Sequence, residues 1–172
     1  FDDVYFEDVR VTDHKKKGLY IEKLSNAVFD RLVVDGVTSD TYGFNNGIDI
    51  NLKDGDYENV TIRDSVVANV AEGTPYDGTA SFSAAVAIKA RDDVGHSRYG
   101  AAPGTLDGVL LDNVTVRDSF NGLRFGEPGN ENHEPTGVVV KNSRFENNEG
   151  YHISVEAESI TEADTDCEDC GG

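Results

Sequence analysis

The chain has no methionine, no tryptophan and only two cysteines in 172 residues. Basic residues are also scarce, 15 against 33 acidic ones, and four histidines add little. Each shortage excludes something. No apolar run approaches the ~20 residues of a membrane-spanning helix, so insertion in that form is not expected. Only seven of the bases are lysines, and they form no basic stripe. Nucleic acid is therefore not an expected partner, because binding to its phosphates needs clustered cations. The cysteines, Cys167 and Cys170, stand in Cys-Glu-Asp-Cys. That is half a zinc site with no second pair nearby, and it lacks the context of a redox motif. A local disulfide or free thiols is the expectation. No Ser-His-Asp order, phosphate-binding glycine loop or dinucleotide fingerprint stands out. Phe1 runs straight into a strand, with no signal peptide and no capping helix. The expectation is a processed chain or an excised part of a longer protein.

Formal net charge is −18. The stretch from Glu156 to Asp169 holds seven acids and no base, and 158–172 reads as an acidic tail or linker. The remaining acid excess is spread over the body. That pattern suits concentrated salt, where the screening length shrinks to ~3 Å near 1 M. A halophilic, exported protein is expected.

What the chain does have is a repeat. The template is φ-x-φ-x-x-φ-x-φ, a turn, then Gly-φ-x-φ. Its first part reads Val4, Phe6, Val9, Val11; then Ala27, Phe29, Leu32, Val34; then Val60, Ile62, Ser65, Val67. It returns as Val109, Leu111, Val114, Val116 and as Val138, Val140, Ser143, Phe145. Its second part reads Gly18-Leu19-x-Ile21, Gly47-Ile48-x-Ile50, Val86-x-Ile88, Gly122-Leu123-x-Phe125 and Gly150-Tyr151-x-Ile153. Alternation puts every second side chain on one face, and the x-x step forces a bend. Each repeat thus supplies three short strands, and only stacking buries their apolar face. Asn or Gly before the third strand suggests a left-handed residue at that bend. The fold expected is all-β: a parallel β-solenoid of about five coils over residues 1–157. A leucine-rich repeat is the lesser alternative, because the column is Val/Ile/Phe and the loops vary.

The run from Gly137 to Ile153 resembles repeats of right-handed parallel β-helix proteins of the pectin-lyase-like superfamily. The resemblance covers residues 3 to about 157. It implies the right-handed fold, but this superfamily holds hydrolases, lyases, epimerases and inert scaffolds alike. Asn45-Asn46-Gly47-Ile48-Asp49 and Ala84-Ala85-Val86-Ala87-Ile88-Lys89 resemble two motifs of its polygalacturonase-type glycoside hydrolases. Asn46, Ala84 and Ala85 stand where that branch has aspartates. Glycoside hydrolysis needs two placed carboxyl groups, so hydrolysis of that type is not expected here.

Loops span roughly 35–46, 68–84, 89–108 and 126–137. The two longest flank the third-coil strand Val86–Ile88, which makes that coil the expected floor of a groove. Outward positions of the last strand form two columns: Tyr20, Asp49, Ala87, Arg124, His152, and beside it Glu22, Asn51, Lys89, Gly126, Ser154. Neighbours in a column are one coil apart, ~5 Å. Asp49, Lys89, Arg124 and His152 are the catalytic candidates. A β-eliminating lyase needs a base for the proton α to a uronate carboxylate and cations for the resulting anion. Lys89 or Arg124 suits base or clamp, Asp49 an orienter or metal ligand, His152 an acid/base. Tyr20 and Asn51 in the columns, with Arg91 and Tyr99 on the following loop, are the substrate-binding candidates. Asp54 and Asp56 are candidate Ca²⁺ ligands. Sequons at Asn59-Val-Thr61 and Asn113-Val-Thr115 fit an exported chain.

The expected function is an exported or cell-surface carbohydrate-active or carbohydrate-binding domain. It takes a polysaccharide around the third coil, with lyase-like elimination. The alternative is a non-catalytic structural or adhesion module among other domains of a larger surface protein.

Overall fold

The computed structural model describes residues 1–37, 44–71, 82–93, 97–127, 135–155 and, as backbone, 165–168. The first repeat supplies β1 (Val4–Glu7), β2 (Arg10–His14) and β3 (Lys17–Ile21). The second supplies β4 (Ala27–Asp30), β5 (Val33–Val37) and β6 (Asn46–Leu52). The third supplies β7 (Gly55–Arg63), β8 (Val66–Val70) and β9 (Ala84–Ala90). A short helix, α1 (Ser97–Ala101), precedes the fourth: β10 (Gly104–Asp112), β11 (Thr115–Arg117) and β12 (Leu123–Phe125). The fifth is β13 (Thr136–Lys141), β14 (Arg144–Glu146) and β15 (Ile153–Val155), followed by β16 (Thr165–Glu168).

The first strands of the repeats, with β16, form sheet A in the order β1-β4-β7-β10-β13-β16. The second strands form sheet B and the third strands sheet C, each again in repeat order. All pairings described are parallel. The fold is therefore all-β, built of stacked parallel sheets. The registers follow the apolar template: Val4, Ala27, Val60, Val109 and Val138 occupy one column. Val11, Val34, Val67, Val116 and Phe145 occupy another. These residues face one another across the interior, where Phe29, Ile48, Ile62, Ile88, Leu111 and Phe125 are sealed from solvent. Each such burial is worth ~1.5–3 kcal/mol. The first repeat is only partly covered at Phe6, Val11, Leu19 and Ile21.

Two serines interrupt the apolar template for a hydrogen-bonding reason. Ser65 Oγ donates to the Arg63 carbonyl (2.6 Å) and accepts from the Leu32 amide of the previous repeat (3.0 Å). Ser143 does the same between Lys141 (2.9 Å) and Val114 (3.2 Å). Each satisfies buried backbone groups at a bend where the ladder breaks.

The bends themselves depart from expectation. Three columns of left-handed residues run up the stack. Asp3 and Asn26 just precede their sheet A strands, and Asn59, Gly108 and Gly137 lie within theirs. Asp8, Arg31, Asp64, Asn113 and Asn142 lie between sheets A and B; Asp13, Gly36, Asn69, Asp118 and Asn147 close sheet B. Asn, Asp and Gly tolerate φ near +55° at least cost. Their amides also tie rung to rung: Asn59 Nδ2 donates to Asn26 Oδ1 at 2.8 Å and Asn113 Nδ2 to Asp64 Oδ1 at 2.7 Å. By contrast, Gly18, Gly47, Gly122 and Gly150 do not have positive φ. They are needed for close approach instead. A Cβ on Gly47 lies 2.6 Å from the Ala85 carbonyl oxygen, and one on Gly122 lies 2.1 Å from that of His152.

Two further differences concern the end of the chain. Leu123 pairs with Ile153 and Arg124 with Ser154, so the fifth repeat enters sheet C two residues later than Gly150-Tyr151-x-Ile153 suggests. And β16, within the expected tail, adds a parallel strand to β13. Cys167 lies on that strand; Cys170 lies outside the described residues.

Candidate functional site

The outward columns of sheet C form as expected over its middle rungs. Tyr20, Asp49, Ala87 and Arg124 are successive partners, and Asn51 pairs with Lys89. The difference is burial. Every residue of β6, β9 and β12 is buried, although alternation alone assigns half of them to solvent. Asp49 and Arg124 are 0% exposed, Lys89 3% and Asn51 4%. Segments at Phe44–Asn46 and Phe82–Ser83 are anchored over this face. Their rings stack at 4.9 Å, and the Asn45 amide donates to Ser83 Oγ at 3.0 Å.

Under this cover the candidates separate into two kinds. Arg124 is locked to backbone: Nε donates to the Gly126 carbonyl (3.1 Å) and Nη1 to that of Phe82. Such a guanidinium organises loops and is not placed as a base. Asp49 is fully buried and pairs with Lys17 Nζ, so it orients that lysine. Lys89 and Asn51 instead line an open cleft of about 220 Å³. Its other walls come from Lys17, Tyr20, Lys53, Arg91 and Glu127. Asn51 Nδ2 donates to the Tyr20 hydroxyl at 2.9 Å, and Lys53 Nζ donates to it at 3.0 Å. Tyr99 of α1 completes the rim. The Arg91 guanidinium sits 4.7 Å from its ring centroid and Lys53 Nζ 5.9 Å, while Lys17 Nζ lies 4.2 Å from the Tyr20 ring. Cations over aromatic faces are held by the ring quadrupole.

Electrostatics differ from lysine to lysine. Burial, the largest cause, pushes Lys89 down to about 7; Arg124, Arg91 and Lys17 push the same way and Asp49 opposes them. The Glu127 carboxylate touches Nζ and favours the charged form, which limits the fall. For Lys53 burial also acts downward, but hydrogen bonds to Glu22 and Tyr20 outweigh it and the net shift is up. Arg91 is positioned by Asp93 (Nε to Oδ1, 2.8 Å) and reaches Glu127 Oε2 at 3.6 Å.

His152 is not in the column. The two-residue offset leaves it exposed before β15, its ring Nδ1 3.3 Å from Asn148 Nδ2. Asp54 pairs with Arg98 (2.9 Å), and Asp56 accepts from Thr105 Oγ1 (2.7 Å). Among the described residues no group of three or more His, Cys, Asp or Glu side chains is gathered to hold a metal ion. Lys17, Lys53 and Glu127 are cleft residues that the column pattern missed, because they lie at strand ends where alternation stops. Lys53 does follow Asn51 by one outward step, which was a usable signal.

No protein-family model matches the chain, and no curated protein or solved structure is significantly similar to it.

Proposed function

We propose that this chain is an exported, right-handed parallel β-helix domain of the pectin-lyase-like kind that binds an acidic polysaccharide in the cleft over sheet C. The observation that carries the reading is charge placement. In a chain of net charge −18, Lys17, Lys53, Lys89 and Arg91 converge on one cleft beside Tyr20. Each cation has a carboxylate of the chain's own, Asp49, Glu22, Glu127 and Asp93, so the cleft presents four ion pairs for which an anionic ligand competes. Tyr20 and Tyr99 give flat apolar faces against which sugar rings pack. Three strands per repeat that meet their successors in parallel and in unchanging order support the solenoid, and the right hand follows the rule for parallel crossover connections.

The same residues suit β-elimination. Lys89, lowered toward neutrality by burial, can accept the proton α to a uronate carboxylate. Arg91 and Lys53 then stabilise the resulting anion. The C–O bond β to the carboxylate breaks, its electrons leave with the oxygen, and that oxygen takes a proton from Lys89 or solvent. An unsaturated uronate and a new reducing end result. A non-catalytic surface module is the second reading. The Lys89–Glu127, Lys17–Asp49, Lys53–Glu22 and Arg91–Asp93 pairs favour it, since they already neutralise the four cleft cations.

A panel of acidic and neutral polysaccharides in high salt, with and without Ca²⁺, separates the readings. Growth of the unsaturated-uronate absorbance, abolished in Lys89→Ala, establishes elimination. Retention on an acidic polysaccharide without absorbance leaves a binding module. Neither, with intact circular dichroism, leaves the structural module.

A further inference from the structure

We infer that Glu127 is a built-in stand-in for the ligand: its carboxylate occupies the anion position of the cleft, and an anionic ligand must displace it. The inference rests on the binding reading above and adds its regulation. Glu127 lies just beyond β12, where the chain leaves sheet C, and it is 8% exposed. Its Oε2 touches Lys89 Nζ and lies 3.6 Å from Arg91 Nη1. One carboxylate oxygen thus bridges the two innermost cations of the cleft, as an incoming carboxylate or sulfate oxygen would. Lys17 is already tied to Asp49 and Lys53 to Glu22, and Asp93 holds the Nε/Nη2 edge of the Arg91 guanidinium, so Lys89 and the Arg91 Nη1 that faces Glu127 are what a ligand can capture by exchanging one anion for another. Exchange within a low-dielectric cleft keeps both cations compensated throughout, which avoids the cost of an unpaired buried charge.

A second observation shows the cleft floor to be incomplete as it stands. Asn51 Oδ1 and Asp49 Oδ1 are buried acceptors without a hydrogen-bond partner. They belong to side chains 4% and 0% exposed, on the strand beneath the cleft. Native structures rarely leave such atoms unpaired. An anion that also carries hydroxyl donors answers more than the displacement, with its oxyanion at Lys89–Arg91 and a hydroxyl at Asn51, which lines the cleft; Asp49 lies beneath that floor. Inorganic sulfate supplies only the oxyanion, which makes it the simplest probe of the displacement step.

The test is calorimetric titration of sulfate into the whole chain at neutral pH, for wild type, Glu127→Gln and Glu146→Gln. Glu146 is a half-exposed carboxylate paired with Arg144, so its variant reports the general effect of removing one negative charge. Glu127→Gln is expected to bind sulfate about tenfold more tightly than wild type, ~1.4 kcal/mol. Glu146→Gln is expected to change affinity less than twofold. Equal affinity in Glu127→Gln and wild type overturns displacement while leaving the anion site intact. No binding to either folded protein removes the anion site itself. If Glu127→Gln fails to fold, carbodiimide–amine labelling of wild type gives the answer. Saturating sulfate must raise labelling at Glu127, and unchanged labelling overturns the inference.

Discussion

The outer faces of sheets A and C are built by the same alternation yet do opposite things with charge. On sheet A, Glu7, Asp30, Arg63, Asp112 and Lys141 form one outward column. Its members pair with their neighbours, as Arg63 with Asp30 at 2.8 Å and Lys141 with Asp112 at 3.4 Å. Apart from Asp30 these side chains stay in contact with water, where such pairs are worth ~0–1 kcal/mol. On sheet C the two outward columns are buried, and Asp49, Lys89 and Arg124 lie where desolvation makes every charge costly. A charged residue at an outward strand position is a solvated ladder in one place and part of a buried polar network in the other. The strand does not decide between them; burial does.

The contrast can be broken most strongly at Arg124. Arg124→Ala strands the Gly126 and Phe82 carbonyls and opens a void. It should cost about 3 kcal/mol in denaturant unfolding. Arg117, half-exposed and paired with its neighbour Asp118, should cost under ~0.5 kcal/mol as Ala. Similar losses at the two sites would mean that the roof over sheet C is not a stable part of the fold.

Gly47 tests how tightly the rungs of sheet C are packed. Gly47→Ala drives Cβ into the Ala85 carbonyl and Val67, with an expected loss of ~1–3 kcal/mol. If instead the variant melts with wild type, the rungs have room that the contact distances deny.

Lys89 sharpens the comparison through pH. Its folded pKa, about 7, lies below the ordinary lysine value of 10.5. Above 7 the unfolded chain holds a proton that the folded chain has released, so unfolding takes up a proton and stability rises with pH until about 10.5. Wild type should therefore gain on Lys89→Met as pH climbs through this window. Lys53, shifted upward, has the opposite sign: its contribution is full below the unfolded value and fades only at higher pH. A flat difference curve for Lys89→Met would show that Glu127 keeps the ammonium charged.

A smaller effect than at Arg124 or Gly47 is expected on the sheet A–B bend. Asn142→Ala puts Cβ into a left-handed conformation (φ 51) and removes a 2.8 Å hydrogen bond to Asp112, a loss of about 1 kcal/mol. Asn142→Gly should recover part of it. An equal loss in Gly would assign the whole cost to the hydrogen bond.

Much of this stack was legible in the residues, because period-2 alternation and the x-x step are direct images of strand and bend. Four of five rungs on sheet C were aligned correctly. The fifth slipped because Gly150-Tyr151-x-Ile153 matches the template, while the chain spends two more residues before entering β15. His152 was assigned to the column for that reason alone. The left-handed ladders were visible as Asp64, Asn113 and Asn142 at equivalent steps. Attention to Asn-Gly pairs drew the reading to glycines that serve close approach instead.

By itself the sequence determined three parallel sheets, their register and their apolar interior, since these depend on short-range periodicity repeated five times. It also set the acid excess and the shortage of cations. Only the tertiary structure decided that Arg124 is a buried brace, that Lys17, Lys53, Lys89 and Arg91 share one cleft, and that Glu127 lines it beside Lys89. Those facts depend on burial that strand alternation does not set and on charges brought together from four different repeats. Burial then converts residue types that alternation places in water into groups with altered proton affinity and unmet hydrogen bonds.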